Sequence, residues 1–366
     1  MNRNKKNKKK KIIILILVIA IEILIISYLL LTELIGLNFD ELVLELSLNE
    51  KDCVSEDVFS TPTSYVKTMP NFNCPGYSFL MPLENSSLLN VLIPNYSNCY
   101  DGFRTKIPLT VIKINSDGFR DREYSLEKHK DTIRIVALGD SFTFPDGVNV
   151  SDGWPKIVES LLNLNSSLNY EVMNLGVPSY DFKEYVDFFK LKGMKYNPDI
   201  VIIATICNDI IDEREREEVI ESKINKLITS NTDYEEYNRL QTIIALEYDR
   251  ELWKNLTNNF DYYFNKSAVY ALNKLYNLTK DKGSKILIVN FCHPIQYLYE
   301  RTKNEYNFKN FYVVDFLPEF VNEAKNRGYC KKDLVLDELD THPNRLSHHI
   351  FGELIYKYLL KAGLIT

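Results

Sequence analysis

Residues that build metal and redox sites are scarce in this sequence. It has six cysteines and five histidines in 366 residues, and it contains no Cys-x-x-Cys pair, no His-Glu-x-x-His motif and no P-loop. Their absence argues against a zinc site, a thioredoxin-like redox centre and a P-loop nucleotide site. We therefore expect neither a metal ion nor another cofactor.

Basic residues are outnumbered by acidic residues outside the first eleven positions. The chain has 44 Lys and Arg against 50 Asp and Glu, a formal net charge of −6. Residues 1–11 hold seven of the basic residues and no acid, so the rest of the chain is more acidic than the average. An acidic body argues against nucleic-acid binding, which requires a basic surface.

A long apolar run follows the basic tail. Residues 12–32 are almost wholly apolar, with Glu22 as the one charged residue. Because about 20 helical residues cross a hydrocarbon core of ~30 Å, we predict a cytoplasmic tail at 1–11 and a membrane anchor at 12–36, with the remainder outside the cell. The alternative is a cleaved signal peptide, but its apolar stretch spans about 7–15 residues and ends in small residues. No Ala-x-Ala pattern follows the run here.

An extracytoplasmic location permits disulfides, although the sequence does not give their pairing. Cys207 and Cys292 lie in or beside strand-like runs. We interpret these two cysteines as buried free thiols.

Two regions follow the predicted anchor. Residues 37–131 are rich in Pro, Asn, Ser and short apolar runs, which is typical of short strands and loops, and we interpret them as an accessory region. In residues 132–366, strand-like runs alternate with helical patterns. That alternation predicts an α/β domain in which helices cover both faces of a parallel sheet. The expected strands are 133–138, 170–174, 199–204, 285–290 and 311–314.

The stretch at about 212–283 interrupts this alternation. Charged helix-forming residues are frequent in it, and no strand pattern occurs. We interpret it as a helical insertion after the third strand, where loops border the ligand crevice of an open α/β sheet. A lid over the site and a solvated helical hairpin both fit that position.

A serine follows the first strand of the predicted sheet. Ser141 stands in the run Gly-Asp-Ser-Phe-Thr at 139–143. Because open α/β sheets bind ligands at the carboxyl ends of their strands, Ser141 is a candidate nucleophile that needs a base and an oriented acid. Taken alone, the same tripeptide also fits a turn and the N-cap of a following helix.

A histidine near the C-terminus supplies the candidate base. His342 precedes Pro343 and follows Asp340 by two residues, just before a pattern that predicts a helix over 346–360. A carboxylate at that distance can orient one ring nitrogen while the other faces the serine. We predict Asp340 as the acid and keep Asp337 as the alternative.

Three donors are candidates for an oxyanion hole. Gly176 ends the second strand and Asn208 follows the third, at the sheet edge expected for Ser141. The backbone N–H groups of Ser141 and Gly176 and the side-chain amide of Asn208 would surround a developing oxyanion, each donor contributing about 3–4 kcal/mol. Individually, Gly176 also fits a simple turn and Asn208 an ordinary loop residue.

Together these motifs resemble the SGNH/GDSL hydrolase family, which is named for Ser, Gly, Asn and His in four separate blocks. The resemblance covers about residues 115–362, with the lead-in Ile-Asn-Ser-Asp-Gly-Phe-Arg at 114–120, and His348 resembles the family's downstream histidine. It implies a flavodoxin-like three-layer α/β fold with strand order 2-1-3-4-5. The matching blocks are 139–143, 174–178, 208–209 and 340–344.

The same resemblance implies the roles of the residues. Ser141 is the nucleophile, His342 the base and Asp340 the acid, while Gly176 and Asn208 join Ser141 in the oxyanion hole. Three positions depart from the common pattern of the family without removing a catalytic group. They are Cys207 and Ser347, where many members have glycine, and Leu339, where many have the acid.

The expected reaction is acyl transfer through a serine ester on a membrane-anchored, extracytoplasmic enzyme. Family members placed in this way often act on acyl groups of cell-surface polysaccharides. O-acetyl groups on glycans are therefore the expected substrate, with water or a sugar hydroxyl as the acceptor. The alternatives are a lipid or thioester hydrolase and a non-catalytic envelope assembly protein that retains the fold.

Overall fold

A computed structural model describes most of the chain beyond its N-terminal part. The described residues are 78–83, 86–100, 110–206, 213–228, 260–291, 296–337 and 340–365, with positions 209, 237, 240, 244 and 248 between them. No helix within these ranges is both long and apolar enough to cross a bilayer. The predicted cytoplasmic tail and the predicted anchor at 12–36 lie outside them.

The described part of the accessory region consists of short antiparallel strands. β1 (Leu80–Pro82) pairs with β2 (Asn90–Leu92), and β3 (Ser97–Tyr100) pairs with β4 (Thr110–Lys113). Apolar side chains from this region are buried in one cluster with the central sheet, namely Phe79, Leu88, Leu92, Ile112, Ile114 and Phe119. The accessory strands therefore share a core with the α/β domain.

Five parallel strands form the central sheet. Their spatial order is β6-β5-β7-β8-β9, which is the expected order 2-1-3-4-5 when the sheet is counted by itself. Every residue of the middle strand is buried, as a strand covered on both faces requires. The strands are β5 (Thr132–Gly139), β6 (Asn169–Gly176), β7 (Ile200–Thr205), β8 (Lys285–Asn290) and β9 (Phe311–Asp315).

Helices cover both faces of this sheet and make three layers. The helices are α1 (Trp154–Leu164), α2 (Phe182–Phe188), α3 (Glu213–Asn225), α4 (Phe260–Phe264), α5 (Tyr270–Thr279), α6 (Gln296–Glu305), α7 (Leu317–Asn326), α8 (Lys331–Leu334) and α9 (Arg345–Lys361). One face is packed by α1, α7 and α9. The other face is packed by α2, α4, α5, α6 and the accessory strands. A last hairpin, β10 (Val335–Asp337) and β11 (Asp340–Pro343), precedes α9.

The stretch at about 212–283, which we interpreted as an insertion, contains in its second half two helices that pack against the sheet. Helices α4 and α5 bury Phe264, Leu272 and Leu275 against the sheet. A connection between neighbouring parallel strands needs a covering helix, and these helices are that crossover between β7 and β8. Helix α3 belongs to a small separate cluster of Ile220, Ile224 and Ile244.

Candidate active site

Ser141 lies in a tight loop directly after β5. The carboxylate of Asp140 accepts the N–H of Phe142 at 2.9 Å, and its carbonyl accepts the N–H of Phe144 at 2.9 Å. A Cβ at Gly139 would lie 2.0 Å from the Thr143 side chain, so only glycine fits where the strand turns. The loop presents Ser141 at the carboxyl edge of the sheet, as predicted.

Gly176 lies beside this loop but does not offer its N–H to a substrate. The Gly176 N–H donates to the side-chain oxygen of Asn174 at 2.9 Å. The assignment of Gly176 as an oxyanion donor is corrected accordingly, because its hydrogen atom is already engaged. Glycine is needed here for a different reason: a Cβ would lie 2.3 Å from the backbone nitrogen of Phe144.

A tight turn follows Gly176 at the same edge. The N–H of Tyr180 donates to the carbonyl of Val177 at 3.3 Å, and Ser179 has a positive φ of 66°. Pro178 before a residue with positive φ is typical of a type II turn, in which glycine is the usual third residue. Within the described residues, neither the Ser179 N–H nor the Ser141 N–H has a hydrogen-bond acceptor. Ser179 was not among the predicted site residues, although Pro178 before it signals the turn.

The loop that carries His342 is fixed from both ends. Its hairpin partner strand is β10, and Asn344 caps the following helix by accepting the N–H of Leu346 at 2.9 Å. The amide of Asn344 also donates to the carbonyls of Asp333 at 2.8 Å and Val335 at 3.1 Å. Asn344 is therefore the N-cap of α9, and the imidazole ring of His342 is available for other contacts.

The structure brings Ser141, His342 and Asp340 together in one hydrogen-bonded chain. His342 Nε2 lies 2.9 Å from Ser141 Oγ, and His342 Nδ1 lies 2.6 Å from Asp340 Oδ1. All three residues are buried, with 3%, 6% and 9% relative exposure for Ser141, His342 and Asp340. Of the two acids considered, Asp340 is in contact with the ring, whereas the side chain of Asp337 lies outside the described part of the structure.

The charges around His342 favour its protonated form. Burial lowers the pKa of the imidazole, but the hydrogen bond and the charge of Asp340, together with Asp146 and Asp140, outweigh burial and raise the pKa to about 9. An ionised Asp340 accepts hydrogen bonds and donates none. The hydrogen atom in its bond with His342 therefore belongs to Nδ1. In the neutral ring, Nε2 is then the free base that faces Ser141.

Two further buried acids, Asp140 and Asp209, interact with each other, and Ser141 Oγ also donates to Asp140 Oδ2 at 3.3 Å. Burial raises the pKa of Asp140 to about 6, and the Phe142 N–H and the charge of His342 offset part of this effect. Burial also raises the pKa of Asp209 well above its usual range, and the charge of Asp140 raises it further. Asp209 accepts the N–H of Ile206 at 2.8 Å. It stood in the Asn-Asp block of the sequence, but no role followed from the pattern.

His348 takes its hydrogen bond from α1 and not from Ser141, His342 or Asp340. Its Nδ1 accepts the backbone N–H of Trp154 at 3.4 Å, and the ring is fully buried. Burial, the nearby charge of Arg120 and His342 lower its pKa to about 3. His348 is therefore a neutral packing residue at the start of α9.

Two predicted features fall outside the described residues. Asn208 is one of the expected oxyanion donors, and Cys207 and Cys292 are the expected buried thiols; none of the three is described. Cys330 is a free, half-buried thiol. In the ranges that the structure covers, no group of three or more His, Cys, Asp or Glu side chains is close enough to hold a metal ion.

Comparison with known proteins finds structural similarity alone. No family model and no curated protein matches the chain. One similar structure, described as lipolytic and of the G-D-S-L family, comes from Desulfitobacterium hafniense DCB-2; it shares 17% identity over 61% of this chain and 98% of its own, with a TM-score of 0.37. An acetylxylan esterase from Geobacillus stearothermophilus shares 16% identity over 62% and 93%, with a TM-score of 0.38.

A two-domain esterase active on acetylated mannans shares 16% identity over 64% of this chain and 50% of its own, also with a TM-score of 0.38. These overlaps are partial. The strand order and the side-chain geometry of this chain therefore carry the assignment of its fold and site.

Proposed function

We propose that this protein is a serine hydrolase that cleaves or transfers acyl groups bound as esters. The observation that carries the proposal is the hydrogen-bonded chain from Asp340 through His342 to Ser141. Ser141 Oγ attacks the ester carbonyl while His342 Nε2 takes its proton, and His342 then gives that proton to the leaving alcohol. Water, or a sugar hydroxyl, releases the acyl group by the reverse steps.

Backbone N–H groups stabilise the tetrahedral intermediate in this proposal. Ser141 and Ser179 both have N–H groups without an acceptor in the described residues. They belong to adjacent loops, because Gly139 and Gly176 are paired at the ends of β5 and β6. The side-chain amide of Asn208 remains the proposed third donor, and Gly176 takes no part.

The proposed substrate is an O-acetylated carbohydrate at the cell surface. The resemblance of the four motif blocks to SGNH/GDSL hydrolases supports this choice together with the predicted membrane anchor, since family members placed in this way often act on acyl groups of cell-surface polysaccharides. Acetylated xylan and mannan, which two of the structures named above act on, are suitable first polymers to test. A lipid ester and an acyl thioester are the comparison substrates.

We also propose that residues 12–36 anchor the enzyme with its catalytic domain outside the cytoplasm. The apolar run and the seven preceding basic residues support this orientation. Protease added to wall-less intact cells should remove a C-terminal tag. Protection of the tag until the cells are lysed would place the domain inside.

Covalent labelling tests the proposed chemistry directly. The full chain, extracted in mild detergent, is incubated with a fluorophosphonate probe and with a small acetyl ester, beside Ser141→Ala and Ser151→Ala variants. Ser151 is exposed and lies ten positions away, so it controls for the loss of a serine as such. We expect labelling and turnover in the parent and in Ser151→Ala, and neither in Ser141→Ala.

The opposite result is equally clear. A folded parent that is neither labelled by the probe nor active on any of the esters would contradict the assignment of Ser141 as the nucleophile. The protein would then be a non-catalytic surface protein with this fold.

A further inference from the structure

A buried arginine from outside the α/β domain contacts the loop that carries the nucleophile. Arg120 is fully buried. Its Nη1 donates to the carbonyls of Phe144 at 3.0 Å and Pro145 at 2.7 Å, and its Nη2 donates to the carbonyl of Val148 at 2.8 Å. The guanidinium carbon also lies 4.7 Å from the centre of the Phe144 ring.

These carbonyls belong to a segment without regular secondary structure, which we call the nucleophile loop (residues 140–148). Carbonyls in such a segment have no hydrogen-bond partners within a helix or a sheet. When they are buried, they need other hydrogen-bond donors. A planar guanidinium can donate to several of them at once in a fixed geometry, which a lysine ammonium on its flexible stem does not reproduce. The contact therefore fixes the shape of the loop as well as neutralising its buried oxygens.

The nucleophile loop links two parts of the proposed machinery. The N–H of Asp146 donates to the carbonyl of Ser141 at 2.9 Å, and the charge of Asp146 raises the pKa of His342. A shift of the loop would thus displace Ser141 and change the electrostatic field at His342 together.

Arg120 is itself held in place by a short segment, the strap (residues 115–122). Asn115 Oδ1 accepts the N–H of Phe119 at 2.8 Å, and its amide donates to the carbonyl of Arg122 at 2.8 Å. At the far end, Asp121 accepts the backbone N–H of Asn174 in β6 at 2.9 Å. The strap is thus tied to the strand beside β5 and directs Arg120 under the nucleophile loop.

We infer that Arg120 is a positioning residue for the ester reaction, acting through the nucleophile loop rather than touching the substrate. The inference rests on the proposed function. It assigns a positioning role to the lead-in motif at 114–120, which lies outside the four motif blocks. Losing the guanidinium should lower kcat while KM changes little, because the loop places the nucleophile and not the bound substrate.

The test compares Arg120→Met and Arg120→Lys with Arg122→Met in the full chain. Arg122 is a matched control, since it lies in the same strap but is half-exposed and pairs with Glu159 rather than with the nucleophile loop. We expect kcat for a small acetyl ester and the phosphonylation rate to fall on the order of 10²-fold in Arg120→Met. Arg120→Lys should be intermediate, and Arg122→Met should stay within about twofold.

Stability is measured in parallel, and rates are compared well below each unfolding midpoint. A folded Arg120→Met with kcat within about twofold of the parent would make the residue purely structural and overturn the inference. If that variant does not fold, Arg120→Lys and Asn115→Ala decide, since the latter keeps Arg120 and loosens only the strap. Unchanged kcat in both overturns the inference, and lowered kcat with steady KM supports it. A parent that is neither active nor labelled defeats the proposed function, and the inference fails with it.

Discussion

Asp340 accepts two hydrogen bonds from His342, one from ring Nδ1 at 2.6 Å and one from the backbone N–H at 3.2 Å. A separation of two residues lets one carboxylate orient both the ring and the loop that carries it. The remaining nitrogen of the ring faces Ser141 Oγ at 2.9 Å. Several measurable consequences depend on this short loop.

The first concerns pH. Because His342 has a pKa of about 9, most of the protein carries an imidazolium at neutral pH, which cannot take the serine proton. We expect kcat/KM for a small acetyl ester to rise with pH and to reach half of its maximum near pH 9. The rate measured with Ser141→Ala at each pH is subtracted as the background hydrolysis. A profile with its midpoint near 6.5, the ordinary value for histidine, would show that Asp340 and Asp146 do not act on the ring.

The same raised pKa of His342 makes the folded protein less stable as the pH rises, whereas activity increases. The folded pKa of His342 lies above the unfolded value, so its contribution is fully present below about pH 6.5 and is lost as pH rises through about 9. The free energy of unfolding should therefore fall over the range in which activity rises. Urea unfolding of Ser141→Ala between pH 6 and 10 measures this contribution without substrate turnover.

The second prediction separates the two candidate acids. Asp340→Asn keeps the shape of the side chain but leaves the imidazole without an ionised acceptor, and we expect kcat to fall on the order of 10⁴-fold. Asp337→Asn should remain close to the parent. A large loss in Asp337→Asn with a small one in Asp340→Asn would reverse the assignment.

The third prediction concerns Gly176. In Gly176→Ala the new Cβ would lie 2.3 Å from the backbone nitrogen of Phe144, so the nucleophile loop must move. We expect a loss of about 1–3 kcal/mol in stability together with a lower kcat. Gly283→Ala is the matched comparison: it has a positive φ of 71° and open space around it, so it should lose stability and keep its activity. Full activity in a folded Gly176→Ala would contradict the proposed close packing.

The fourth prediction concerns Asp209. Burial and the charge of Asp140 raise its pKa above the unfolded value, so folding binds a proton more tightly and stability falls as pH rises above about 4. Asp209→Asn should therefore raise the unfolding midpoint at pH 8 and change it little at pH 4. An equal change at both pH values would mean that the carboxyl group is not held neutral by its surroundings.

The fold follows closely from the pattern of the chain. Buried parallel strands have continuous apolar runs, and the runs at β5, β7 and β8 were visible for that reason; the expected strand order is confirmed. Helices α4 and α5 were predicted as part of an insertion and not as helices that cover the sheet. Charged and aromatic residues between their apolar residues obscure the apolar face in the sequence. The burial of Phe264 and Leu275 depends on which helix packs against the sheet. The spacing of apolar residues in this stretch did not indicate which helix that is.

The sequence by itself determined the chemical groups at the carboxyl edge of the sheet, because strand ends and turn residues leave a local pattern. It placed Ser141 in one motif block and Asp340 and His342 together in another, about 200 positions further along the chain. Only the tertiary structure decided which donors remain free: the Gly176 N–H is taken by Asn174, whereas the Ser179 turn follows beside it. Only the tertiary structure, too, showed Arg120 beneath the nucleophile loop, since contacts between residues far apart in sequence arise from packing and leave no local signal.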